Sequence, residues 1–188
     1  MSKLKIPVSG SDHAEGSENA PLVLVEYGDY QCSYCGQAYP IIKRLQKTLK
    51  KDLCLIFRNF PLSQMHPDAL NAALAAEAAA LQGKFWEMHD MLYENQENLD
   101  KESLISFAVE LGLNADKFSK DMESQKIAER ISSDFNGGVR SGVNGTPAFF
   151  INGVRYDGNW SDETFLGDLK KIQAEADKQD SLLKTGRK

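Results

Sequence analysis

Two cysteines separated by two residues, Cys32 and Cys35 in "YQCSYCG", offer the most chemistry in this chain. A pair at this spacing can exchange disulfides, supply half of a zinc site, or be inert. Zinc needs further ligands at comparable spacing. The remaining candidates, Cys54, His13, His66 and His89, make neither a second C-x2-C nor an H-x3–5-H. Cys54 falls inside the apolar run "LCLIF", where a buried structural thiol is expected. The spacing therefore favours a redox pair, with a zinc-binding or redox-inert binding module as the alternative.

A cysteine at the start of a helix faces unpaired backbone N–H groups and the positive end of the macrodipole, and both favour thiolate over thiol. Motifs of this type lower a thiol pKa from about 8.5 to roughly 3.5–7.5. Cys32 is expected to be the exposed nucleophile. Cys35, one turn further in, is expected to be shielded and to resolve the mixed disulfide. Six residues before Cys32 stands Glu26, among apolar neighbours. Buried there, its pKa would rise and it could exchange protons with Cys35; otherwise it reaches solvent at the strand's end. Far downstream, Gly145-Thr146-Pro147 precedes the run "AFFI". A proline starting a strand cannot donate to the ladder, and a cis bond there would leave the Thr146 backbone free to pair with a peptide. Base rates alone favour trans, cis being about 5% of X–Pro bonds.

These residues need a scaffold. Leu22 to Tyr27 is a short apolar run suited to a strand covered on both faces, Gly36 to Lys51 has helical spacing, and Leu53 to Phe57 is a second buried strand. That order is a βαβ unit with parallel strands. An alanine-rich helix follows, with Pro67 in its first turn, Asp68 near its positive end and Gly83 beyond its end. Further helices are expected over 85–95, over 101–111 capped by Asp100, and from Ala115, capped by Asn114, through Ile127 and Ile131 towards Arg140. Gly137 and Gly138 weaken that last end unless close packing needs them. "AFFI", the turn Asn152-Gly153 and "VRY" read as a hairpin, and Ser161 can cap a final helix from Asp162 to about Ala176. His66 and His89 are expected in structural roles, His89 among Trp86, Met88 and Met91.

The fold class expected is α/β: a thioredoxin-type βαβ…ββα core over 21–64 and 140–177, interrupted by a helical subdomain over 65–139. A flexible lead-in over 1–20 and a polar tail over 178–188 flank it. At 188 residues the chain can bury a core without a metal or disulfide to fold it. A net charge of −5 and the lack of a basic run argue against nucleic acid and anionic membranes as partners. No apolar stretch approaches the ~20 residues of a spanning helix, and the N-terminus lacks the apolar core of a secretory signal. Stable membrane insertion is not expected, and a cytoplasmic protein is, or a periplasmic one if the chain has been trimmed.

Together, "VEYGDYQCSYCGQAYP", "FRNFPL", "GKFWEMHDMLYENQ" and "GVNGTPAFFINGVRYDG" resemble the DsbA-like thiol:disulfide oxidoreductases of the thioredoxin superfamily. More narrowly, they resemble the bacterial branch also found fused to sodium/proton antiporters. The resemblance spans about residues 13–175. It implies a thioredoxin fold with a helical insertion, Cys32 as attacking and Cys35 as resolving cysteine, and Glu26 as the buried acid. It further implies a cis Thr146–Pro147 bond lying against the active-site pair, Pro40 as a kink in the active-site helix, and substrate contacts from Tyr34, Thr146 and Pro147. Cysteine-containing proteins and a separate redox partner are the implied partners; no bound cofactor or metal is implied. Ser33-Tyr34 departs from the Pro-His of the strongly oxidising enzymes, and Thr146 replaces their usual valine. Both departures leave the direction of electron flow open between oxidase and reductase.

Overall fold

The structure, a computed structural model, describes residues 2–185. Its elements are β1 (His13–Gly16), β2 (Leu22–Gly28), α1 (Ser33–Leu49), β3 (Leu53–Asn59), α2 (Ala69–Ala80), α3 (Phe85–Glu94), α4 (Lys101–Glu110), α5 (Ala115–Met122), α6 (Gln125–Arg140), β4 (Ala148–Ile151), β5 (Val154–Tyr156) and α7 (Asp162–Thr185). The five strands form one sheet in the order β1-β3-β2-β4-β5. β2 and β3 run parallel, joined through α1; the other pairings are antiparallel. This is the α/β thioredoxin-type core, and α2 to α6 lie between β3 and β4.

Alternation along the central strands sorts side chains between the two faces. Leu22, Leu24, Leu53, Leu55, Phe149 and Ile151 pack with Ala38, Ile42 and Leu45 of α1 and Phe165 and Leu169 of α7. Val25, Tyr27, Cys54, Ile56 and Phe150 face the other way, towards Phe60 and Phe135 of α6. By the same alternation Glu26 shares the face of Leu22 and Leu24, beneath the start of α1. A separate apolar cluster joins the helical insertion to Tyr30, Phe57, Cys32 and Cys35. Within it the alanines of α2 are buried almost all round, because small side chains let neighbouring helices approach from several directions.

Several boundaries differ from the expectations. The lead-in over 1–20 contains β1, whose four residues pair with Phe57 to Cys54 of β3. "HAEG" carries no apolar alternation, so nothing local announces this edge strand. It is held by backbone pairing and by His13, which stacks on Phe85 and meets the Glu77 carboxylate at 3.0 Å. The helix expected from Gly36 begins at Ser33, making Cys32 its N-cap residue, and it continues through Pro40. The alanine-rich helix begins after Pro67, with Asp68 as its N-cap.

The helix expected from Ala115 towards Arg140 is two. Ser124 takes extended backbone angles and starts α6 afresh as its N-cap residue, without a side-chain cap hydrogen bond. α6 then runs through Gly137 and Gly138 because packing needs them: a Cβ on Gly138 would lie 2.7 Å from the Phe60 ring and 3.0 Å from Tyr27. Asp100 and Asn114 cap as expected, accepting from Glu102 and Ser103 N–H and from Lys117 N–H. α7 passes the expected end near Ala176 and occupies most of the expected polar tail, up to Thr185. Lys, Gln and Leu favour the helix there. The last three residues of that tail lie outside the described residues.

Candidate active site

The sheet brings Cys32, Cys35, Glu26 and Thr146-Pro147 to one place. Cys32 stands where β2 hands over to α1, and its N–H donates to the Asp29 carbonyl at 3.1 Å. Cys35 follows after Ser33 and Tyr34, and the two cysteines lie 3.9 Å apart as free thiols. The Cys32 thiol donates to the Thr146 carbonyl at 3.4 Å across 114 residues of sequence. The Thr146–Pro147 bond is cis.

Cys32 is less open than expected. It keeps 5% of its surface and Cys35 none; both belong to the apolar cluster of the insertion, and the Thr146 carbonyl lies against the Cys32 sulfur. Both cysteines are buried, and Cys35 remains the more shielded of the two. Tyr34 projects into solvent at 61% exposure, at the rim.

The two sulfurs differ sharply in acidity. The Cys32 pKa is lowered to about 5, chiefly by a hydrogen bond from the Cys35 thiol. The Thr146 side chain, as distinct from its carbonyl, and the backbone N–H groups of Cys35 and Tyr34 add to this, and together they outweigh burial. Those N–H groups are the open first turn of α1, so the N-cap position is what turns the helix end into thiolate stabilisation. Burial, with the neighbouring Cys32 and Glu26, pushes the Cys35 thiol well up.

Glu26 reaches no solvent at the strand's end; it is buried, and its Oε1 has no hydrogen-bond partner among the described residues. Burial first, and the charge of Cys32 second, raise its pKa to about 8.

Two residues not singled out by sequence shape this site. Asp29, 1% exposed, accepts from the N–H of Gln31 and Leu62 and meets His66 Nδ1, all at 2.8 Å. It ties the turn before Cys32 to the loop after β3. Gln96, beyond α3, donates from Nε2 to the carbonyls of Tyr30 at 2.7 Å and Cys32 at 2.9 Å. Neither has a local sequence signature, since each acts on backbone that only the fold brings near. His66 sits beside Asp29, while His89 is buried with the Tyr30 hydroxyl 3.1 Å from its Nδ1. Burial holds the His89 pKa well below its ordinary range, which keeps it neutral. Among the described residues no cluster of three His, Cys, Asp or Glu could hold a metal, and no helix is long and apolar enough to cross a membrane.

A family profile described as thioredoxin matches residues 8–171. Among curated proteins, the chain is 39% identical over 171 residues to a Na(+)/H(+) antiporter NhaA 1 of Mycolicibacterium vanbaalenii, covering 89% of this chain and 28% of the antiporter. It is 42% identical over 161 residues to an antiporter of the same name from Salinispora arenicola, covering 85% of this chain and 24% of that protein. The chain thus spans about a quarter of the length of these relatives. Among solved structures, alpha-DsbA1 of Wolbachia pipientis superposes with a TM-score of 0.81 at 22% identity, over 94% of this chain and 97% of that one. A thioredoxin-like oxidoreductase from Silicibacter pomeroyi gives 0.79 at 24% identity, over 89% and 94%. Oxidised BdbD from Bacillus subtilis gives 0.80 at 20% identity, over 92% and 98%. Identities this low carry the likeness of fold alone.

Proposed function

Because the chain belongs to the thioredoxin family, we propose that it exchanges disulfides with cysteines of protein substrates through Cys32 and Cys35. The observation that carries this reading is the asymmetry of the pair. One sulfur is held as thiolate at a helix N-terminus, and its neighbour is held as thiol against a buried carboxyl group.

In the reducing direction, the Cys32 thiolate attacks one sulfur of a substrate disulfide. A Cys32–substrate bond forms, the substrate S–S bond breaks, and the other substrate sulfur leaves as thiolate. Cys35 then gives its proton to the Glu26 carboxylate and attacks the Cys32 sulfur. The Cys32–Cys35 disulfide forms, the second substrate sulfur leaves, and the substrate has gained two electrons that the pair has lost. The oxidising direction is the same sequence reversed.

Charge coupling times the proton transfer. While Cys32 is a thiolate, its charge helps keep Glu26 protonated. Once Cys32 is in a mixed disulfide that charge is gone, and Glu26 ionises more readily at the moment a base is needed. The cis Thr146–Pro147 turn, with Tyr34 at the rim, forms the surface on which an extended substrate segment would lie.

Substitution of Cys32 by serine tests the reading. Insulin reduction and oxidation of a reduced test protein should both fall to background, and a Cys35→Ser protein should accumulate mixed disulfides. Undiminished activity in the Cys32 variant would exclude the proposal. Stoichiometric zinc bound by the pair would favour the metal-binding alternative.

A further inference from the structure

We propose that Gln96 is a positioning residue for Cys32, a role that rests on the thiol-exchange reading above. The Gln96 amide divides its two N–H bonds between the carbonyls of Tyr30 and Cys32. The Cys32 carbonyl also accepts from Gly36 N–H at 3.0 Å, which closes the first turn of α1. Gln96 therefore grips the peptide planes on both sides of Gln31-Cys32, at the helix end whose free N–H groups stabilise the thiolate. Asp29 holds the same turn from another side, through its carbonyl to Cys32 N–H and its carboxylate to Gln31 N–H.

The second observation is Gly36. No left-handed backbone angle explains a glycine there. What explains it is Gln96, whose Oε1 lies where a Cβ would project. Gly36 and Gln96 are thus a matched pair, a gap in the active-site helix filled by an amide from the helical insertion. Besides the apolar packing, the insertion thereby makes a polar contact with this turn: through one side chain it holds the N-cap geometry whose N–H groups contribute to the acidity of Cys32. The other titratable groups facing the Cys32 sulfur are Cys35 from α1 and Glu26 from β2. Gln96 is absent from that set: its amide acts on the backbone carbonyls of Tyr30 and Cys32.

The test is the pH profile of iodoacetamide alkylation at Cys32, located by peptide mass, in the full chain and in three variants. Gln96→Met keeps length and volume but removes both donors. Gln96→Glu places an ionised acceptor against two carbonyl oxygens. Gly36→Ala displaces the amide without changing it. The midpoint is expected to rise by about one unit in Gln96→Met and Gly36→Ala, slowing alkylation at pH 5 about five-fold. In Gln96→Glu it should rise at least as far. Gly36→Ala combined with Gln96→Met should shift it no further than either alone, since both remove one interaction.

A midpoint unmoved in both Gln96→Met and Gly36→Ala would overturn the proposal. So would loss of cooperative unfolding in both, because Gln96 would then be a packing residue. The profile is independent of turnover, so a clamp that fails here leaves the disulfide-exchange reading standing. Activity surviving Cys32→Ser would remove that reading whatever the profile shows.

Discussion

Exchanging Glu26 for glutamine should change how stability depends on pH, in a direction and by an amount that the site fixes. In the folded, reduced protein Glu26 holds its proton up to about pH 8, whereas unfolded it loses it near 4.5. Between those values the folded state binds one proton more. This contribution is fully present below pH 4.5 and is lost as pH rises through 8. Cys32 does the opposite: folded it ionises near pH 5, unfolded near 9. Over that range the folded state binds one proton fewer, so this contribution is present above pH 9 and is lost as pH falls through 5. Each imbalance is worth about 1.4 kcal/mol per pH unit.

From pH 5.5 to 7.5 the two slopes offset one another in the parent protein. Glu26→Gln removes one of them, so relative to the parent the variant should gain about 2–3 kcal/mol over those two units. Cys32→Ser should lose stability over the same interval, by a smaller amount, because without the thiolate charge Glu26 titrates lower. Asp134, whose pKa burial raises to about 6, and the neutral His89 are common to all three proteins and cancel in the differences. Urea unfolding under reducing conditions at three pH values, with linear extrapolation, reads these differences directly. If the Glu26→Gln and parent curves run parallel, Glu26 is not a raised, proton-holding carboxyl, and its part in the exchange fails with it.

Three further outcomes can be checked in the same protein. Glu26→Gln should slow resolution of the mixed disulfide by about 10²–10⁴-fold while leaving the first attack by Cys32 nearly unchanged, as rapid acid quenching would show. Arg58→Met should cost about 3–5 kcal/mol in urea unfolding, because it leaves the buried Asp12 carboxylate without its bidentate partner at 2.7 and 3.0 Å; it should also free the segment around Ile6 and Pro7, whose carbonyls Arg58 holds. Gly138→Ala should destabilise by about 1–3 kcal/mol through overpacking against Phe60 and Tyr27, yet leave the alkylation midpoint of Cys32 where it is.

The parts of this molecule written locally were legible in the sequence. The apolar runs of β2 and β3 mark buried strands, the caps Asp100 and Asn114 mark helix starts, and Cys32 and Cys35 announce their chemistry by spacing. Glu26 could be picked out because a lone carboxylate in an apolar strand has few uses. What stayed hidden acts between distant segments. β1 is a strand only because β3 offers it an edge, and its polar sequence says nothing of that. Asp29 and Gln96 bind backbone groups, which any sequence provides. The carbonyl that meets the Cys32 sulfur comes from a turn more than a hundred residues away. The break before α6 is hidden for another reason: the apolar spacing continues across Glu123-Ser124, and only a serine, a residue type favoured at N-caps, marks the restart.

The most direct test of a thiolate-poised exchange centre is the equilibrium potential of the Cys32–Cys35 couple in glutathione buffers. A Cys32 pKa of about 5 lies about two units below the roughly 7 of thioredoxin, and each unit favours the reduced pair by about 30 mV. Allowing half of that for water at the open edge of the sulfur, the potential should lie some 30–60 mV above thioredoxin's, at about −240 to −210 mV. A reversible couple in that range is the expected result. A couple at or below about −270 mV, or no reversible couple at all, would contradict it.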